Sequence, residues 1–160
     1  MNAPAALQIV VERLPHAAEL PLPAYATPGA AGMDVVAAVE APVRIDPGGR
    51  ALIPTGLRIA LPAGYELQIR PRSGLALRNG IILPNSPGTI DEDYRGELQI
   101  IVMNAGDAPF SVERGMRIAQ AVLAPVVRAV WREADSLDAT DRGAGGFGST
   151  GVGGRSGPPS

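Results

Sequence analysis

The sequence predicts an all-β domain, a sandwich, jelly roll or barrel, followed by a tail that cannot pack. Three observations carry this: apolar or alternating runs of strand length recur at close spacing, Gly- and Pro-rich breakers separate them, and only one segment carries helix signals. The runs fall at 7–14, 33–39, 43–45, 51–53, 57–61, 65–70, 98–103, 109–112 and 117–127. Tyr65-Glu66-Leu67-Gln68-Ile69-Arg70 alternates apolar with polar, as a half-buried strand does when successive side chains point to opposite faces. Pro47-Gly48-Gly49, Pro62-Ala63-Gly64 and Asn104-Ala105-Gly106-Asp107 interrupt the runs with turn chemistry.

The helix is expected at Gly74-Leu75-Ala76-Leu77-Arg78-Asn79, with Ser73 as its cap and Gly80 ending it in a left-handed turn. Arg78 in the last turn suits the macrodipole. Two domains of unequal character follow: a β-barrel-sized region at 1–140 and a flexible arm at 141–160, rich in Gly, Ser and Pro.

Composition removes several function classes. A net charge of −2 argues against broad nucleic-acid or anionic-membrane binding, and no early stretch joins basic residues to an unbroken apolar run. The expected setting is therefore the cytoplasm, with neither nucleic acid nor membrane as partner. Cysteine is absent and His16 is the one histidine, so thiol nucleophiles and a His/Cys metal cluster are excluded and His16 reads as an ordinary surface or loop residue. All fourteen basic residues are arginine, which excludes a Walker phosphate loop, a Schiff-base enzyme and a common-type kinase, each of which needs lysine.

Four segments carry candidate chemistry. Arg142-Gly143-Ala144-Gly145-Gly146-Phe147-Gly148-Ser149-Thr150-Gly151 combines anion-seeking donors, bendable backbone and one stacking ring, the makings of a flap over a nucleotide; on composition alone it also reads as a plain disordered tail. Its match to G-x-G-x-x-G is rejected, because no helix or downstream acid follows. A strand–turn–strand hairpin around Asn85–Gly88 would expose backbone donors and acceptors for a pyrimidine edge, and Asp91 just after it could hold a water; the competing reading of Asp91-Glu92-Asp93-Tyr94 is a solvated turn. Arg70-Pro71-Arg72-Ser73-Gly74 sets two guanidiniums and a hydroxyl at the helix start, as a phosphate site or an ordinary cap. Arg114-Gly115-Met116-Arg117-Ile118-Ala119-Gln120 reads as a turn into a strand.

With Ala31-Gly32-Met33-Asp34 and Gly88-Thr89-Ile90-Asp91-Glu92-Asp93-Tyr94-Arg95-Gly96 added, these segments resemble the five ordered motifs of the trimeric dUTPases, from about residue 7 to residue 151. Departures are small: Met116 stands where an acidic or polar residue is common, and Val35 where leucine is usual.

The resemblance implies a jelly-roll-like β-barrel that assembles as a homotrimer, with active sites shared between subunits. The implied reaction is hydrolysis of dUTP to dUMP and pyrophosphate, which limits uracil in DNA and supplies dUMP for thymidylate synthesis. Asp91 would activate the water that attacks the α-phosphorus, and Tyr94 would pack beneath the deoxyribose and exclude a 2′-hydroxyl. Asn85 with the backbone around Gly88 would read uracil. Ser73, Gly74 and Gln120 would bind phosphates, with Arg72 neutralising the outer ones. Phe147 would stack on the base, while Arg142, Gly148, Ser149 and Thr150 would close over the γ-phosphate. Mg²⁺ would be held mainly by the triphosphate, with Asp34 reaching it through water. Two other readings share the motifs: a dCTP deaminase or bifunctional relative on the same fold, and a non-catalytic dUTP-binding trimer.

Overall fold

The computed structural model describes residues 7–147. Along them run β1 (Val10–Arg13), a 3-10 turn (Pro15–Ala17), β2 (Ala24–Tyr25), β3 (Met33–Val36), β4 (Val43–Ile45), β5 (Arg50–Pro54), β6 (Leu57–Ala60), β7 (Tyr65–Arg70), α1 (Ser73–Asn79), β8 (Ile81–Ile82), β9 (Gly88–Ile90), β10 (Gln99–Asn104), β11 (Phe110–Val112) and β12 (Arg117–Pro125). The chain divides into two units, Met1–Val127 and Arg128–Ser160, and all of these elements belong to the first. No described helix is long and apolar enough to cross a membrane.

Every strand pairing is antiparallel. The strands form four sheets, β1–β6, β5–β10–β8, β11–β4 and β2–β3–β12–β7–β9, around one core rather than one continuous closed ladder. Ile53, Ile81, Leu98, Ile100, Val102, Val112 and Ile118 fill that core. Alternation supplies it: Leu67 and Ile69 of β7 are buried while Arg70 is exposed. The largest sheet has β12 as its spine, bonded to β3 on one side and β7 on the other, with one extra residue bulged between Arg117 and Ala119.

The expected strands are present, several with trimmed ends, while β5 outruns its 51–53 run at both ends. The 7–14 run pairs only over Val10–Arg13, because Pro15 turns the chain into the 3-10 turn. Residues 37–39 are buried but join no strand; the Ala37 and Ala38 N–H groups bond instead to the Met116 and Pro54 carbonyls. The helix begins one residue earlier than expected. Arg72, extended at φ −97°, holds the cap position without a side-chain cap bond, and Ser73 is the first helical residue. Gly80 ends α1 at φ 66°, as its lack of a Cβ permits. Arg78 stands in the last turn, as expected. Its Nη2 is 2.9 Å from where a Gly74 Cβ would stand, so the side chain runs back toward the helix start.

Candidate active site

Three adjacent strands assemble the first group. The register puts Asp34 of β3 opposite Gln120 of β12, and Gln120 opposite Arg70 of β7. Arg117 Nη1 donates to Asp34 Oδ2 at 3.1 Å. Arg72 Nε lies 3.0 Å from Asp34 Oδ1, but the two are misaligned: both atoms are buried and neither makes a hydrogen bond. The contact is therefore an ion pair only. Arg72 also donates to the Arg117 carbonyl at 3.2 Å. Gln120 leans over Gly32, where a Cβ would come within 3.0 Å of its Oε1. Two guanidiniums around one carboxylate leave net positive charge beside the start of α1, where Ser73 and Gly74 present N–H groups without an acceptor inside the helix. Such a cluster suits a polyanion.

The second group lies beyond β9. Tyr94 N–H donates to the Asp91 carbonyl at 3.2 Å, so the two residues close one turn. Tyr94 is 44% exposed, and its hydroxyl donates to the Glu97 carbonyl at 3.1 Å. Gly96 permits this fold-back, since a Cβ there would collide with the Tyr94 hydroxyl. Asn85, Asp91 and Tyr94, all chosen from sequence, line a single cavity of about 250 Å³ with Leu52, Glu97 and Gln99. A larger cleft of about 520 Å³ lies at the far end of α1, bordered by Asn79, Gly80, Gly106 and Asp107; none of the sequence-predicted residues reaches it, and its size alone assigns it no chemistry.

The segment between Asn85 and Gly88 is not the paired hairpin that was expected. β8 pairs with β10 and β9 with β7, so the turn carries the chain from one sheet to another. Each flanking strand finds a longer partner elsewhere than its two- or three-residue neighbour could offer. Gly88 is buried opposite Ile69, and the Asn85 amide lies 3.1 Å from where a Gly88 Cβ would stand.

In the second unit, Arg142 Nε donates to the Gly145 carbonyl at 2.9 Å, and the Gly143 N–H reaches the Thr140 carbonyl at 3.0 Å. Phe147 is fully exposed at φ 49°. Gly148, Ser149 and Thr150 lie outside the described residues.

Asp34, Arg72, Arg117 and Gln120 form one group; Asn85, Asp91 and Tyr94 form another. The first sits at the Arg70 level of the sheet, whereas Asp91 follows Ile90, the partner of Leu67. Three strand spacings and about four residues separate Asp34 from Asp91, on the order of 15–20 Å. One chain does not bring them together. Sequence reasoning passed over Arg117 and Glu97. Arg117 could have been found from its place three residues before Gln120; nothing local in the sequence marks Glu97.

The dUTPase family model matches residues 18–151. The deoxyuridine 5'-triphosphate nucleotidohydrolase of Roseobacter denitrificans is 65% identical over 133 residues, 82% of this chain and 88% of that protein. The protein of the same name from Rhizobium meliloti is 58% identical over 146 residues, 90% of this chain and 91% of its own. Among solved structures, a mutant dUTPase of Staphylococcus bacteriophage 80alpha with dUpNHpp superposes at a TM-score of 0.80 with 24% identity, covering 91% of this chain and 99% of that one. A mutant dUTPase from phage phi11 of S. aureus, described with a structural Mg(II) ion, gives a TM-score of 0.72 with 20% identity, covering 82% and 99%. These two likenesses bear on fold. Family follows from the 18–151 match and from the identities above one half: the chain belongs to the dUTPase family.

Proposed function

We propose that the protein hydrolyses dUTP to dUMP and pyrophosphate, in sites built between subunits of a homotrimer. The observation that carries the reading is the single cavity bordered by Asn85, Asp91 and Tyr94, in a chain whose relatives are named for this reaction. Asn85 and the backbone at Gly88 hold the uracil edge. Tyr94 packs under the sugar, where its ring leaves no space for a 2′-hydroxyl and imposes a desolvation cost on a ribonucleotide. Asp91 accepts the proton of the water that attacks the α-phosphorus.

The net positive cluster of Arg72, Arg117 and Gln120, with the first N–H groups of α1, receives the phosphates. Phosphoryl transfer depends mostly on positioning and charge neutralisation, so donors rather than nucleophiles are the appropriate equipment. Because this cluster stands far from Asp91 within one chain, the trimer brings the Asp91 turn of one subunit to the arginine cluster of another. The arm at 141–160 completes the site: Phe147 stacks on the base, and Arg142, Gly148, Ser149 and Thr150 close over the terminal phosphate and exclude water.

Among the described residues no group of three or more acidic or histidine side chains could cage a metal. Asp34 Oδ1 is a buried acceptor with no hydrogen bond, which fits one water-mediated contact to a Mg²⁺ carried by the triphosphate. The ion, when bound, supplies charge neutralisation on the phosphate oxygens.

The test is to incubate the protein with Mg²⁺ and dUTP, UTP, dTTP or dCTP, and to follow pyrophosphate and ammonia. Release of pyrophosphate from dUTP alone is expected, with solvent ¹⁸O recovered in dUMP. Ammonia from dCTP would move the reading to a deaminase, tight binding without turnover would make the trimer a sensor, and equal turnover of all four would overturn the specificity argument.

A further inference from the structure

His16, expected as an ordinary surface or loop residue, lies in the 3-10 turn with a specific partner. Its Nε2 lies 2.9 Å from Glu97 Oε1, with side chains 28% and 21% exposed. The same carboxylate oxygen accepts the Gly56 N–H at 2.8 Å. Gly56 holds φ 67°, and a Cβ there would collide with Ala17 and come within 3.3 Å of His16 Nε2, so the β5–β6 connection and the 3-10 turn are pressed together at this point. One oxygen thus ties together three segments distant in sequence.

The next residue is held as firmly. Thr55, 2% exposed, donates its hydroxyl to the Leu98 carbonyl at 2.6 Å, and the Leu98 N–H reaches the Leu57 carbonyl at 2.7 Å. The Glu97 peptide is therefore fixed on both sides, by its own side chain and by Leu98. Its carbonyl is the acceptor for the Tyr94 hydroxyl. Through the Tyr94 N–H, the same arrangement reaches the Asp91 carbonyl.

We propose that His16 and Glu97 are positioning residues for Tyr94 and Asp91, a strut that sets how closely the Tyr94 ring approaches the sugar. The proposal rests on the dUTP reading of the cavity above. Without the strut the Glu97 peptide can turn, and the Tyr94 hydroxyl loses its fixed acceptor. The ring then retreats and admits the 2′-hydroxyl it otherwise excludes. Looseness in the same turn displaces Asp91, so kcat falls more than KM rises. A displacement of about 1 Å at a reacting group is enough for losses up to about a hundredfold. A partial loosening is expected to cost roughly tenfold.

The experiment compares His16→Ala, Glu97→Gln and Glu97→Ala with the unaltered protein. Glu12→Gln on β1 serves as the control, its carboxylate lying in an exposed pair with Arg58. The ratio of kcat/KM for dUTP to that for UTP is expected to drop about tenfold in Glu97→Ala and less in His16→Ala and Glu97→Gln, both of which keep an oxygen that accepts from Gly56, while Glu12→Gln leaves it unchanged. Unchanged ratios in both alanine variants, or equal losses on both substrates tracking the fraction of folded protein, overturn the proposal. Because the chain has one histidine, its ring Hε1 gives a single NMR resonance in a symmetric assembly. That resonance is expected to shift when dUpNHpp binds, and to shift less in Glu97→Gln; a resonance indifferent to dUpNHpp overturns the strut. If Glu97→Ala fails to fold, His16→Ala and the resonance decide. If the unaltered protein binds dUpNHpp but hydrolyses no dUTP, the enzymatic reading fails while the resonance still judges the strut.

Discussion

Asp34 lies within the five-stranded sheet level with Arg70, whereas Asp91 stands just past its β9 edge, one residue after the partner of Leu67. A site that needs both must borrow one of them from another copy. Two individually inactive variants, Asp91→Asn and Ser73→Ala with Arg72→Ala, should therefore regain activity when unfolded together and reassembled. Random mixing at equal amounts is expected to restore roughly a quarter of the unaltered turnover. Persistent inactivity of a mixture shown to contain hybrid trimers would mean that each site is built within one chain.

Asp91→Asn alone keeps the shape of the turn, since the Tyr94 N–H bonds to the backbone of residue 91 and not to its side chain. Turnover of dUTP should fall by about 10²–10⁴ with binding of dUpNHpp changed only a few-fold by calorimetry. Substantial remaining hydrolysis would remove Asp91 from the role of base.

Removing 142–160 leaves every described strand and α1 in place. Circular dichroism and the elution volume of the assembly should be unchanged, while dUTP turnover drops about a hundredfold through loss of closure. Normal turnover by the shortened chain would show that the arm has no part in the reaction.

Asn104 is a structural counterpart to these functional positions. It is fully buried; Nδ2 donates to the Ile45 and Ala108 carbonyls at 2.9 and 2.8 Å, and Oδ1 accepts the Gly106 N–H at 2.9 Å. Asn104→Ala strips three backbone groups of their partner and should cost about 3 kcal/mol or more in urea unfolding. The predicted sign is loss of stability with the dUTP/UTP preference retained in whatever protein remains folded.

The legible parts of this molecule are those written in local pattern. Tyr65–Arg70 alternates and is a strand; Gly80 breaks the helix where a left-handed residue is required. Asn85, Asp91 and Tyr94, singled out by the resemblance to the family's motifs, line one cavity. What stayed hidden depends on contacts between remote segments. The two-residue strands Ala24–Tyr25 and Ile81–Ile82 are too short to show a period, and pairing partners define them. Ser73 looked like a cap because its type favours that position, but the preceding Arg72, placed by its contacts with Asp34 and Arg117, takes it instead. The His16–Glu97 pair spans 81 positions, beyond any local signal.

The extra residue in β12 has a role in timing the sheet. Arg117 faces Val36, yet Ala119 faces Val35, so Ile118 is the supernumerary position. Were Ile118 an ordinary ladder residue across from Val35, Ala119 would fall across from Asp34 and Gln120 across from Met33. Deleting Ile118 would take out the bulge and a buried core side chain, yet leave Ala119 across from Val35 and Gln120 across from Asp34. The bulge thereby lets Arg117, an odd three positions before Gln120, share the face that carries Gln120 and Asp34.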